Sequence, residues 1–431
     1  MSSAPDDSPR LRSVTREIDG VDDVLELSDA ADPIVWSRRG DILIGTGGAA
    51  ACFRGAGGPG DAAAWWQRLA ADADIDDAVR LPGTGLIAFG TLPFDTRSTS
   101  DAVLTVPRIV VGRRGARTWV TRTWVAHSAD TVAELDPAAS DAPSAPAAQG
   151  YGPHWSATLG PGALTPEGYQ DAVRDGLSAI GAGEVAKVVL ARDLAGTVPA
   201  GADLRRLVRA LASAYPDTWA YAIDGLIGAS PETLVTVSGG TVTARVLAGT
   251  SARGADADAD TAVSLALATS PKDLDEHQFA VQSVLTALRP HTSALVAEEQ
   301  PFMLKLPNVW HLATDVEGTL AGDASALDLV AALHPTAAVA GTPTPAAIEI
   351  IARLEPFDRG RYAGPVGWID AHGDGEWAIA LRCAQFHLGA ATDEAIPFTA
   401  YAGAGIVAGS DPEAEMLETR VKFRPIVDAL A

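Results

Sequence analysis

The chain reads as an α+β protein built mainly from antiparallel strands, and three observations carry that reading. Strand-like runs outnumber helical patterns, and many pair as hairpins across Gly-containing turns. No GxGxxG or GxxxxGKS/T run opens a helix after a strand, which removes the usual nucleotide-binding folds. Hydrophobic residues make up 47% of the 431 positions and charged residues 20%, enough apolar material for one large domain or two closely packed lobes.

Taken in order, residues 1–12 are polar and Pro-containing. They are expected to form a disordered tail, with no apolar stretch of the kind a signal peptide needs. Residues 13–150 form an N-terminal lobe. Strands are expected there at 41–47, 85–92 and 108–127, the last a Gly-centred hairpin between Trp-bearing, β-branched arms, with a helix at 61–73. The stretch 136–150 is rich in Pro, Ala and Ser without a period and reads as a surface connection. Residues 151–431 are more regular and are expected to intertwine with the first lobe as one domain. Helical patterns occupy 165–181, 202–214, 271–288, 324–333 and 412–430. Strand patterns occupy 186–194, 218–229, 232–238, 241–248, 363–370 and 376–387.

A net charge of -23 argues against nucleic acid and anionic lipid as partners, because both need clustered Lys and Arg. An anionic small molecule remains compatible where a few basic side chains outweigh the global field locally. The two cysteines, Cys52 and Cys383, form neither a metal spacing nor a disulfide framework, so a reducing cytoplasm is expected. No apolar run reaches the ~18 residues of a membrane-spanning helix.

The candidate chemistry begins at the C-terminus. Ser410 or Asp411, followed by Pro412, starts a helix that places Glu415, Glu418 and Lys422 on one face. A solvated face carrying a Glu418–Lys422 pair describes the same pattern. The arrangement recurs where Ser270 and Pro271 open a helix bearing Asp273 and Glu276. Two helices with a carboxylate pair each suit a hard cation such as Mg²⁺. Lys187 sits in an otherwise apolar strand, either as an edge lysine reaching solvent or as a buried general base. Glu232 follows Pro231 at a strand mouth, either as a surface turn or beside a ligand given room by Gly228, Ala229 and Ser230. Arg382, among small residues of a strand pattern, is costly unless it meets an anion such as a carboxylate. The AGAG run at 402–405 brings bare backbone amides near the Glu415/Glu418 helix.

Together the stretches KVVLAR, GASPETL, LAGTSARG, SPKDLDEH, LPNVWHL, LHPTAAVAGTP, GRYAGPVGWID, IALRCA and AGAGIVAGSDPEAEMLETRVKF resemble the chorismate-utilising enzyme family. They run in family order from about residue 160 to the end. That family includes isochorismate, salicylate, anthranilate and aminodeoxychorismate synthases. The resemblance implies two large, mostly antiparallel sheets packed as a sandwich with helices outside and a Mg²⁺ site in the cleft. By position it assigns Glu276 and Glu418 as direct metal ligands and Asp273 and Glu415 as holders of metal-bound water. Arg382, Gly403 and Lys422 match positions that bind substrate carboxylate, and Gly249, Thr250, His311 and Tyr362 match other pocket positions. Lys187 matches the lysine that activates water, and Glu232 the acid that protonates the departing C4 hydroxyl of chorismate. Ala248 stands where common aminodeoxychorismate synthases place a nucleophilic lysine, and no glutaminase domain is fused, so no glutaminase subunit is expected. LHPTAAVAGTP, with Ala338, resembles the isochorismate-forming type that serves menaquinone or siderophore formation, although Ala337 replaces a usual proline. A salicylate synthase, another member of the family, and an inactive chorismate-binding subunit are the alternatives. A monomer or weak dimer is expected.

Overall fold

A computed structural model describes residues 9–56, 58–126, 144–305 and 309–431. Most of the expected tail (1–8) and of the Pro/Ala/Ser connection (136–143) lies outside those residues. Of the tail's remainder, Leu11 is fully buried and opens a strand, so the ordered chain starts before residue 13.

The first part supplies β1 (Leu11–Ile18), β2 (Ile34–Arg38), β3 (Asp41–Gly55), α1 (Pro59–Ala71), β4 (Asp74–Asp77), β5 (Ile87–Thr91), β6 (Ala102–Arg114) and β7 (Arg117–Val125). There follow β8 (Thr158–Pro161), α2 (Pro166–Gly181), β9 (Lys187–Pro199), α3 (Arg205–Ala214), β10 (Trp219–Ile223), β11 (Leu226–Ser230), β12 (Thr233–Ser238) and β13 (Thr241–Ala252). Then come α4 (Ala257–Ala268), α5 (Pro271–Leu288), β14 (Thr292–Ala297), β15 (Phe302–Lys305), β16 (Val309–Leu320), α6 (Ala326–Leu333), β17 (Gly341–Thr342) and α7 (Thr344–Leu354). The chain closes with β18 (Pro365–Asp370), β19 (Gly375–Ile379), β20 (Cys383–Phe386), β21 (Ala395–Ile406) and α8 (Pro412–Leu430).

The ladders are antiparallel except β1 with β4. They form two arms that meet at β6. One arm runs β3–β2–β10–β11–β20–β21–β9, and the other runs β5–β18–β19–β12–β13–β16. Along β6, β3 occupies one side; β5 and then β7 share the other, changing over around Pro107. Pro107 has no N–H to give a ladder, which suits it to the break. The expected α+β architecture is therefore present, with its two layers continuous through one strand. Strands from either side of residue 150 pair directly, β2 with β10 and β5 with β18.

Alternation along the first arm sends neighbouring side chains to opposite cores. Trp36, Tyr221, Cys383 and Tyr401 face an inner core shared with Trp368 and Trp377 of the second arm. Val35, Ala222, Ala384 and Ala402 face an outer core closed by α3 and by Phe423, Ile426 and Leu430 of α8. Each fully buried aromatic contributes on the order of 2–3 kcal/mol to such a core.

Two expected strands are broken. The run 218–229 is a hairpin turning at Asp224–Gly225, both with positive φ, which splits it into β10 and β11. The run 376–387 stops at Ile379 and resumes at Cys383, because the chain crosses there from the second arm to the first. Period-two alternation had placed Arg382 inside that strand; it lies in the crossing instead.

Glu376 ties the arms together from β19. Its Oε2 accepts from the indole N–H of Trp36 (2.8 Å) and of Trp368 (3.0 Å), and its Oε1 accepts from Arg114 on β6 (2.9 Å). Glu376→Ala leaves those donors without their acceptor and is expected to lower stability by about 3 kcal/mol in chemical denaturation. Loss of under 1 kcal/mol would contradict that role.

Candidate active site

The site grows out of two neighbouring crossings between the arms. β11 passes into β12 through Pro231–Glu232, and β19 passes into β20 through Ala380–Arg382. The crossings hold each other: the Ile379 N–H donates to the Glu232 carbonyl (3.1 Å), and the Ala229 N–H donates to the Arg382 carbonyl (3.2 Å). Ser230 Oγ adds a bond to the Ile379 carbonyl (2.6 Å). Arg382 takes a left-handed φ of 51°, which costs a non-glycine residue about 1–2 kcal/mol.

Both crossings open onto a cavity of about 340 Å³. Glu232, Arg382, Lys187, Glu276, Asp273, Glu415, Glu418, Lys422, Gly249, His311, Tyr362 and Gly403 all line it. Thr250 stands opposite His311 in the β13–β16 ladder, and its side chain lies outside the described residues. The segments named from the sequence thus converge on one cleft.

Local sequence places each group. Lys187 opens β9, and Gly405 lies on the paired strand β21; a Cβ at Gly405 would stand 3.1 Å from Lys187 Cε, so the missing side chain leaves the lysine its room. Gly249 forms a bulge in β13 with φ 78°, a conformation glycine adopts without strain. Ser270 caps α5 and Asp411, rather than Ser410, caps α8 through its carboxylate, each followed by Pro in the first turn. α5 is also pinned by His277, whose Nδ1 meets the Ala248 carbonyl (3.1 Å) and whose Nε2 meets Thr314 Oγ1 (2.7 Å). That anchor turns Asp273 and Glu276 toward the cavity.

Charge in the cleft is partly self-compensated. Lys187 Nζ donates to Glu276 Oε1 (2.9 Å), and Lys422 Nζ to Glu418 Oε1 (2.6 Å) and to the Gly403 carbonyl (2.8 Å). Among the described residues no group of three His, Cys, Asp or Glu side chains is arranged to hold a metal ion. The four carboxylates line one cavity, but Glu276 and Glu418 are each engaged by a lysine. The donor set is nonetheless all oxygen, which suits a hard cation. Burial and the neighbouring Glu418 raise the Glu415 carboxyl above its usual range, a mark of negative charge short of a counter-ion.

The other shifts follow burial. It pushes the Glu232 carboxyl up to about 7, against the pull of Lys187, Lys422 and Arg382. Burial lowers Lys422, and burial with Lys422 and Arg382 nearby lowers His311 to about 4, so that imidazole is neutral. The Arg382 guanidinium makes no hydrogen bond or salt bridge with any described residue.

Two groups escaped the sequence reading. Arg359 lines the same cavity but is committed to structure: it pairs with Glu355 (2.5 and 2.8 Å) and donates to the Val339 and Val189 carbonyls. Glu355 in turn accepts from the Ala191 N–H, so the pair fixes β9 and thereby Lys187. The Glu355–Arg359 spacing at a helix end was its only sequence signal. His277 was the second, a histidine quoted inside SPKDLDEH without a role.

The family description that matches this chain is chorismate binding enzyme, over residues 2–431. The isochorismate synthase DhbC of Bacillus subtilis is 41% identical over 277 residues, covering 62% of this chain and 68% of that protein. The salicylate biosynthesis isochorismate synthase of Pseudomonas aeruginosa is 33% identical over 386 residues, covering 85% and 78% respectively. Among solved structures, the menaquinone-specific isochorismate synthase MenF of Escherichia coli superposes with a TM-score of 0.76 at 25% identity, over 98% of this chain and 95% of that one. With one description matching residues 2–431 and a relative 33% identical over 85% of the chain, the protein belongs to the chorismate-binding enzyme family.

Proposed function

We propose that this protein is an isochorismate synthase, converting chorismate to isochorismate with Mg²⁺ as its resident ion. The observation that carries the reading is the Arg382 guanidinium, which has no acceptor among the described residues and shares a cavity with a carboxyl raised to about 7 and a lysine. The names of its relatives support it.

Chorismate carries two carboxylates and a C4 hydroxyl on a cyclohexadiene ring. Arg382 grips the enolpyruvyl carboxylate with its planar fork, which sets the orientation of the ring. Lys422 and the Gly403 backbone complete the anion-binding side. Lys187 takes a proton from the water that attacks C2, and Glu232 gives its proton to the C4 oxygen as that bond breaks. A carboxyl near 7 is protonated in a useful fraction of molecules at neutral pH, which an exposed glutamate is not. His311, neutral, and Tyr362, stacked on Tyr401 at 5.2 Å, shape the pocket around the ring.

Glu276 and Glu418 would hold Mg²⁺ directly, with Asp273 and Glu415 reaching it through water. Bound there, Mg²⁺ would supply positive charge to offset negative charge developing on the substrate's ring carboxylate. The protein acts on chorismate without a glutaminase, as a cytoplasmic monomer or weak dimer. Among the described residues no helix is long and apolar enough to cross a membrane, and Cys52 and Cys383 are unpaired.

Incubation with chorismate and Mg²⁺ is expected to yield isochorismate by product chromatography, with no fluorescent salicylate. EDTA should abolish turnover and added Mg²⁺ restore it. Lys187→Ala and Glu232→Gln should each lose water addition while retaining the parent melting temperature; full activity in either variant removes that residue from the chemistry. Because Glu232 must be protonated to act, kcat/KM should decline as pH rises through about 7. A profile flat from pH 6 to pH 9 would contradict its role as the acid.

A further inference from the structure

A second cavity, of about 560 Å³, adjoins the first. Lys187, Glu232 and Glu276 line both, so they stand where the two meet. Arg382, Gly403 and Lys422 line the first alone. The second is walled largely by apolar side chains of β13, α5 and the end of α6, among them Ala244, Val246, Val284 and Leu333. It reaches the surface at α5, where Phe279 is 59% exposed and Ser283 is exposed.

Water addition at C2 poses a problem of access. A ring gripped at both carboxylates occupies the polar cavity, and the nucleophile has to arrive at Lys187 from a direction the ring leaves open. We infer that the second cavity is the route by which that water reaches Lys187. This inference rests on the isochorismate reading. At the junction, the polar side chains shared by both cavities are those of Lys187, Glu232 and Glu276, so an incoming water finds its hydrogen-bond partners beside the base. Further out, the mainly apolar walls retain no water and disfavour ions, which lose hydration there, so the groups that can hold an incoming water are those at the junction.

The step balances with one water in and one out. The water oxygen bonds to C2 and its proton passes to Lys187. The double bonds shift, the C4–O bond breaks, and that oxygen leaves as water with the proton from Glu232. The departing water is released at the same junction, since Glu232 lines it too.

The test fills the second cavity without touching the first, using Ala244→Phe from β13 and Ser283→Phe from the exposed face of α5. Steady-state kinetics with chorismate and Mg²⁺ are compared with the parent protein, alongside thermal melting. We expect kcat to fall at least tenfold with KM changed less than twofold. In the Ser283→Phe background, Phe279→Ala should recover a large part of the loss by reopening the mouth. Should Ala244→Phe not fold, Ser283→Phe, at an exposed position, still decides the question. A kcat within twofold of the parent in a folded variant overturns the inference. So does a parallel change of kcat and KM, which would make the second cavity part of the substrate site. A parent protein that forms no isochorismate would instead remove the activity, and the inference with it.

Discussion

The bonds between the two crossings organise everything around them. A strand that leaves one layer for the other must expose backbone groups where it turns, and here each crossing satisfies the other's: Ile379 to Glu232, Ala229 to Arg382, Ser230 to Ile379. Because the backbone carries that bonding, the side chains of Glu232 and Arg382 are left free to face the cavity. The left-handed turn at Arg382 is tolerated for the same reason, held by neighbours rather than by its own preference.

Electrostatics then divides the cleft by purpose. Arg359 and Arg382 line the same cavity. The first is consumed by Glu355 and two carbonyls; the second meets no side-chain acceptor among the described residues. An arginine fully bonded by its own chain is a brace. One with its fork open is suited to receive an anion, as proposed for Arg382, and in a protein of net charge -23 its local field would draw on the nearby lysines. Glu232 belongs to the same economy of burial: desolvation raises it toward neutrality while the surrounding cations hold it back, leaving a carboxyl that can part with a proton near neutral pH.

Much of this was legible in the sequence where local rules act alone. The caps before α5 and α8, the strand carrying Lys187 and the convergence of separate segments on one cleft follow from Ser-Pro and Asp-Pro starts, periodicity and family order. What stayed hidden depends on partners far away in the chain. Nothing in the alternation of GEWAIALRCAQF marks the place where it changes sheet, because no Gly or Pro interrupts the run and its one charged residue near the middle, Arg382, fits a strand position as readily as a crossing. α4 escaped because ADADTAVSLALA has little amphipathic contrast and leaves Leu265 exposed, and α7 because its Ile-rich face resembles a strand. The lysine–glutamate pairs of the cleft join residues 89 apart in one case and four in the other, and only the second has a spacing that sequence can display.

The shared strand β6 has a mechanical consequence. It is bonded along both sides, to β3 on one and to β5 and β7 on the other, while the paired crossings fasten the same two arms again at the cleft. Two layers joined along two separate lines have no free axis about which to swing. The floor of the cleft is therefore held from both arms, and α5, packed on β13 and β16 of the second arm, is tied to β9 of the first through the Lys187–Glu276 bond.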